Sequence, residues 1–268
     1  MKKLILPLLC FFVLVSSSHS WMSLPFVAGG GGGGGTDFTA DVNCQGAWLF
    51  ASGSTLTDSS GNDNTLSDSG TVTFDTNYPT GFTTGQVGVF NGTDQNLCIA
   101  DGDLNADFPA KSPTVDFAVS MWIKVVNPVT YNSYFAKGYG FHARIDYATS
   151  ILTFEIKDSE TTTVATNTDV SDTMVSWTHI VFSFAGADPT GTGTLWVSQG
   201  SFGSLEDATP LTYTDVKDVS DSNAFCIGST GGSTQHFEGY IYQPIIFDRT
   251  LDAGEAEELY DNGIKGVN

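Results

Sequence analysis

At 268 residues, with 40% hydrophobic and 12% aromatic side chains, the chain is long and apolar enough to bury a core, and no linker interrupts it beyond residue 36. Ten Lys and Arg against thirty Asp and Glu leave a formal net charge of −20. No basic patch can be assembled from that balance, which argues against nucleic acid or an anionic membrane as a direct partner. It is compatible with solubility after export and with calcium binding.

Residues 1–20 read as a signal peptide. Lys2 and Lys3 precede the apolar run Leu4 to Val15, which is too short to span a bilayer, and Ser18 and Ser20 supply small residues before a cut ahead of Trp21. A secreted or cell-surface location follows, with no membrane insertion once the leader is removed; an uncleaved anchor is the alternative. Residues 21–36 form a linker, first apolar ("WMSLPFVA") and then seven consecutive glycines, a flexible spacer of about 14 Å. Residues 37–268 make up one domain.

Within that domain, turns and short strands alternate. "GAWLF" (46–50) is the first strand, and the loop "DSSGNDN" (58–64) follows it. In "DFAVSMWIKV" (116–125), Phe117, Val119, Met121 and Ile123 share one face, while Ala118, Ser120, Trp122 and Lys124 share the other. "ILTFEIKD" (151–158) sets Leu152, Phe154 and Ile156 against Thr153, Glu155 and Lys157, and "HIVFSF" (179–184) aligns Ile180, Phe182 and Phe184. "TLWVSQ" (194–199) and "YIYQPIIF" (240–247) add further strands, with Pro244 marking an edge or a bulge. Period-two patterning broken by Gly, Asn, Asp and Pro points to an all-β chain of antiparallel sheets packed face to face, a β-sandwich or jelly roll. One short helix ends it. Asp252 can cap the first turn, Glu255 can close a capping box, Leu251 and Ala256 stand at staple positions, and Gly263 is a stop.

After the leader, Cys44, Cys98 and Cys226 remain. Three cysteines in an exported chain permit one disulfide with a thiol left over, or none. Cys98 and Cys226 both sit in strand-like runs, which suit buried free thiols at least as well as a bridge. Zinc-ligand spacing is absent.

These pieces occur in an order that resembles the laminin-G-like domains of the concanavalin A-like lectin/glucanase superfamily, in their bacterial and phage form. "GAWLF", "GQVGVFNGTDQNLCIAD" (85–101), "DFAVSMWIK", "SYFAKGYG" (133–140), "WTHIVFSF" (177–184), "FCIGS" (225–229) and "FEGYIYQPIIFDRTLDAGEAEELYDNG" (237–263) follow one another as the family's strands do. The resemblance implies a single jelly-roll β-sandwich of two antiparallel sheets, one of them concave. It leaves lectin, adhesion module, enzyme and structural spacer open, because the fold does not set the function.

Three constellations follow. Glucanases of this superfamily carry Glu-x-Asp-x-Glu on one strand, with alternate acids on one face. No such run is present; "SLEDA" (204–208) would point its adjacent acids to opposite faces, so a non-catalytic chain is expected. The loop at 58–64 resembles one in which family members bind calcium, with Asp58, Asn62 and Asn64 as oxygen ligands; the alternative is an Asx-rich turn satisfying its own backbone. For a glycan, "TYNSYFAKGYGFHARIDY" (130–147) and "STQHFEGY" (233–240) concentrate aromatic and polar groups: Tyr131, Asn132, Tyr134, Tyr139, His142, Arg144 and His236 are the candidate ligand residues. The expected function is an exported lectin-like domain that binds a carbohydrate or a cell-surface or assembly protein. A structural or adhesion module of an envelope or virion assembly is the alternative, and a hydrolase or lyase stands behind both.

Overall fold

The computed structural model describes residues 35–100, 116–126, 132–137, 141–146, 151–157, 163–169, 173–186, 192–199, 211–212, 224–230 and 235–266. Its strands run β1 (Cys44–Ala47), β2 (Ser67–Ser69), β3 (Thr73–Asp75), β4 (Val87–Asn91), β5 (Asn96–Ile99), β6 (Phe117–Val125), β7 (Asn132–Lys137), β8 (Phe141–Asp146), β9 (Ile151–Lys157), β10 (Thr163–Asp169), β11 (Thr178–Ala185), β12 (Thr192–Gln199), β13 (Leu211–Thr212), β14 (Phe225–Ile227) and β15 (Glu238–Phe247). A helix, α1 (Ala253–Asn262), closes the chain.

The strands form two antiparallel sheets and one short C-terminal helix, the architecture of a jelly-roll sandwich. The first sheet has the order β13-β12-β11-β6-β15-β4-β3, with β1 also paired to β15; the second has the order β10-β9-β8-β7-β14-β5-β2. The inner faces interlock as the alternation predicts. Phe117, Val119, Met121 and Ile123 of β6 share a core with Phe141, Ala143, Leu152 and Phe154 of the second sheet. Phe154 stacks on Phe182 of β11 with ring centroids 4.6 Å apart. Each such ring, taken fully out of water, contributes about 1.5–3 kcal/mol.

The outer face of the first sheet departs from expectation. Ser120, His179, Ser183 and Ser198 occupy the polar side of their strands, yet all four are buried. The C-terminal segment lies over part of this face: Tyr260 of α1 packs on His179, whose ring bonds Ser120, and the Leu251 N–H donates to Ser183 Oγ. The capping box of α1 is present as predicted: Asp252 accepts from the Glu255 N–H, and Glu255 accepts from the Asp252 N–H. Leu251, Ala256 and Leu259 pack with Phe38, Ala118, Val181, Trp196, Ile245 and Phe247 in a separate apolar cluster. The helix therefore serves as a lid of secondary structure over a sheet face that alternation alone would leave wet.

Pro244 does lie at a bulge. The β15–β6 register shifts between Tyr242 and Ile245, and Gln243 takes a positive φ of 48°. The bulge turns the Gln243 amide outward, where its Oε1 accepts from the Ile264 N–H and seats the segment after α1. At the N-terminal end the ladder stops at Ala47, short of the expected residue 50. Beyond it Phe50 turns to φ 50° and Leu49 O accepts from the Gln86 N–H. Cys98 and Cys226 stand opposite each other in the β5–β14 register and are disulfide-bonded, and Cys44 is a buried free thiol.

Candidate functional site

Residues 58–64 come together, but as a brace for β1. One edge of β1 pairs with β15. Along its backbone the Asn62 and Asn64 amides donate to the Cys44 and Gln45 carbonyls, and Asp58 Oδ1 accepts from the Ala47 N–H at 2.9 Å. Ser59 N–H donates to Ala47 O. The loop thus supplies, largely from side chains, the ladder bonds a missing strand would make, which also protects the edge. The Asp58 carboxylate accepts four such bonds, two on each oxygen, from Ala47, Ser60 (backbone and hydroxyl) and Asn64. An ionised carboxylate has about four lone-pair sites. All are taken, so this arrangement does not offer Asp58 to a cation, and the Asx-turn alternative fits it. Asn64 O also accepts from the indole of Trp48 at 2.9 Å, anchoring the loop to the core. Beneath it, burial first and then the charge of Asp58 push the Cys44 thiol up to about 12, where it is inert.

The outer face of the second sheet holds the other cluster. In β8, Phe141 and Ala143 point into the core, so His142 and Arg144 point away from it; in β9, Leu152 and Phe154 point in and Glu155 points out. The β8–β9 register sets His142 directly opposite Glu155. Glu155 bridges the two side chains, with one oxygen 2.9 Å from His142 Nε2 and the other on Arg144 Nη2. Burial alone would raise the Glu155 carboxyl. Hydrogen bonds and charge from His142 and Arg144 outweigh that and hold it below the usual carboxylate range. With Nε2 facing the carboxylate, Nδ1 of the buried His142 has no hydrogen-bond partner among the described residues, and the Arg144 side chain stays 26% exposed.

Of the predicted ligand residues, His142 and Arg144 are thus brought together. Tyr134 is corrected. Its ring is fully buried edge-on to Phe237 in the core, with the hydroxyl on the Met174 sulfur, because the β7 bulge between Ser133 and Phe135 turns two successive side chains inward. His236 lies on the segment entering β15, with Nδ1 3.3 Å from Gln95 O, and makes no hydrogen bond or ion pair to His142 or Arg144 among the described residues. Asn132 begins β7. Tyr131 and Tyr139 fall outside the described residues. Glu155, which ties the cluster together, was missed. The signal was present in "FHARIDY" and "ILTFEIKD", which become a register pair once they are joined as a hairpin.

With this geometry in place, comparison with known proteins is informative. A family model, described as the concanavalin A-like lectin/glucanases superfamily, matches residues 91–257. The chain belongs to that superfamily. Among solved structures, this superfamily member is similar to the botulinum neurotoxin serotype D binding domain, with 13% identity and a TM-score of 0.62 over 84% of this chain and 53% of that one. It is similar to the binding domain of botulinum neurotoxin DC in complex with rat synaptotagmin II, with 14% identity and a TM-score of 0.60 over 82% and 51%. It is also similar to domain 4 of AbnA, a GH43 extracellular arabinanase from Geobacillus stearothermophilus, in complex with arabinotriose. That match has 16% identity and a TM-score of 0.57 over 81% and 98%. The chain spans about half the length of the two toxin domains. Identities this low establish the fold alone. No curated protein matches the chain.

Proposed function

We propose that this chain is an exported, non-catalytic recognition module of the lectin type, taking a carbohydrate or a surface ligand on the outer face of its second sheet. The observation that carries the proposal is the Arg144–Glu155–His142 cluster. A carboxylate held ionised between a guanidinium and an imidazole fixes their orientation, leaving the part-exposed Arg144 guanidinium and the His142 Nδ1, which has no hydrogen-bond partner among the described residues, as directed groups for ligand hydroxyls or carbonyls. One carboxylate committed to two partners suits binding. Glycoside hydrolysis by the usual routes needs a pair of acids flanking the bond.

Export is supported by the leader pattern of residues 1–20 and by the Cys98–Cys226 disulfide, a bond that persists in oxidising compartments. No helix among the described residues is long and apolar enough to cross a membrane. The arabinanase domain, solved with arabinotriose, and the toxin domain, solved with synaptotagmin II, provide precedents in this fold for an oligosaccharide and for a protein partner.

The test is a glycan array probed with the chain lacking residues 1–20, with and without chelator, beside Arg144→Ala. Binding that is unaffected by chelator and about tenfold or more weaker in Arg144→Ala is the expected result, since a hydrogen bond from a charged group contributes about 1.5–3 kcal/mol. No binding in either condition sinks the lectin reading and leaves the assembly module in its place.

A further inference from the structure

A second surface, on the outer face of the first sheet, has the chemistry of a ligand site. Thr178 pairs with Ile123, so one rung further along β11 and β6 Trp177 stands beside Lys124, and Lys124 pairs with Tyr240 of β15. The next rung is His179, Trp122 and Tyr242. All of these side chains point away from the core, because Ile123, Ile180 and Ile241 between them point into it. Tyr260, on the last turn of α1, lies over Trp122 with ring centroids 5.0 Å apart and over His179 at 5.8 Å. The helix covers that deeper rung and then ends. Trp177, Lys124 and Tyr240 are left half-buried beside it, as is Tyr260 itself.

Two observations on this step point to a missing partner. The indole Nε1 of Trp177, and that of Trp122 beneath Tyr260, are buried and have no hydrogen-bond acceptor among the described residues. Buried donors are ordinarily satisfied, and leaving one bare costs about 1–3 kcal/mol. The Lys124 ammonium, meanwhile, sits 5.7 Å over the Tyr240 ring and has no carboxylate partner among the described residues, in a chain with thirty acids. Trp177 and Tyr240 rings lie 6.1 Å apart. Flat apolar faces interleaved with unspent donors match a sugar ring, which presents C–H faces for stacking and hydroxyl oxygens as acceptors. The net charge of −20 repels anions, so the ring that fits is uncharged.

We propose that the Trp177–Lys124–Tyr240 rung, bounded by Tyr260, is a second carbohydrate-binding site for a neutral sugar ring, on the face of the sandwich that carries the helix. It is independent of the Arg144 cluster and stands or falls separately.

The test is titration of the chain lacking residues 1–20 with three neutral trisaccharides, arabinotriose, cellotriose and mannotriose, following the indole N–H resonances by NMR. At least one sugar should shift the Trp177 and Trp122 signals with little dependence on salt. Trp177→Ala and Tyr240→Ala should each weaken that binding by about tenfold. Lys124→Met, which removes no ring, covers the case in which a ring deletion fails to fold, and several-fold weaker binding is expected from it. Arg144→Ala should leave these shifts unchanged, which separates this site from the first. No shift with any of the three sugars, or binding unaltered by Tyr240→Ala and Lys124→Met, overturns the proposal.

Discussion

Acidification should unfold this protein partly through His179. The imidazole is 2% exposed, its Nε2 lies 2.8 Å from Ser120 Oγ, and it is packed between Trp122 and Tyr260. Burial lowers its pKa from 6.5 to about 3, so it is neutral in the folded chain at any ordinary pH. The unfolded chain takes up a proton below 6.5 and the folded chain does not until about 3. Stability is therefore complete above the unfolded value and falls as pH drops through that window, by about 1.4 kcal/mol per unit. The loss is about 2 kcal/mol at about pH 5, and it approaches about 5 kcal/mol near the folded value. Urea unfolding of the wild type and His179→Gln, each at about pH 7 and about pH 5, isolates this contribution, because carboxylates titrate alike in both and cancel. The wild type should lose about 2 kcal/mol more than the variant, or about 4–8 °C in Tm for a chain of this size. Equal losses would refute the assignment of a buried neutral imidazole.

Three further outcomes follow from the fold. Chelator should leave the melting temperature unchanged, whereas Asp58→Ala should cost about 2–4 kcal/mol by denaturant unfolding, since it strips four hydrogen bonds from the brace on β1; a calcium-reversible chelator effect would overturn the brace. Reducing the Cys98–Cys226 bond, which closes a loop with a sequence separation of 128, should cost about 3–5 kcal/mol in the same assay. Asp252→Ala should destabilise by about 1 kcal/mol, and Asp252→Asn, which can still cap, by much less.

Much of the scaffold was legible in the linear text. The inward residues of β6, β9 and β11 alternate because a strand alternates, and α1 starts and stops where Asp252, Glu255 and Gly263 say it should. The candidate site was half legible. His142 and Arg144 share a strand face and could be read together, but Glu155 joins them only through cross-strand register. Tyr134 looked like its neighbours, and a one-residue bulge sent it into the core. The loop at 58–64 has the composition of a cation site, and only its hydrogen bonds reveal that each Asp58 lone pair is already used.

From its own periodicity and capping residues the sequence determined the strands and the C-terminal helix, because those signals act between residues two to four apart. Tertiary structure alone decided which faces are wet. Ser120 and His179 lie on the polar side of their strands and are dry because α1, arriving from the far end of the chain, lies across them. It also decided that Cys98 meets Cys226 and that Trp177 and Tyr240 share a rung with Lys124. Burial and partnership depend on what packs against a side chain, and here that partner is often more than fifty residues away.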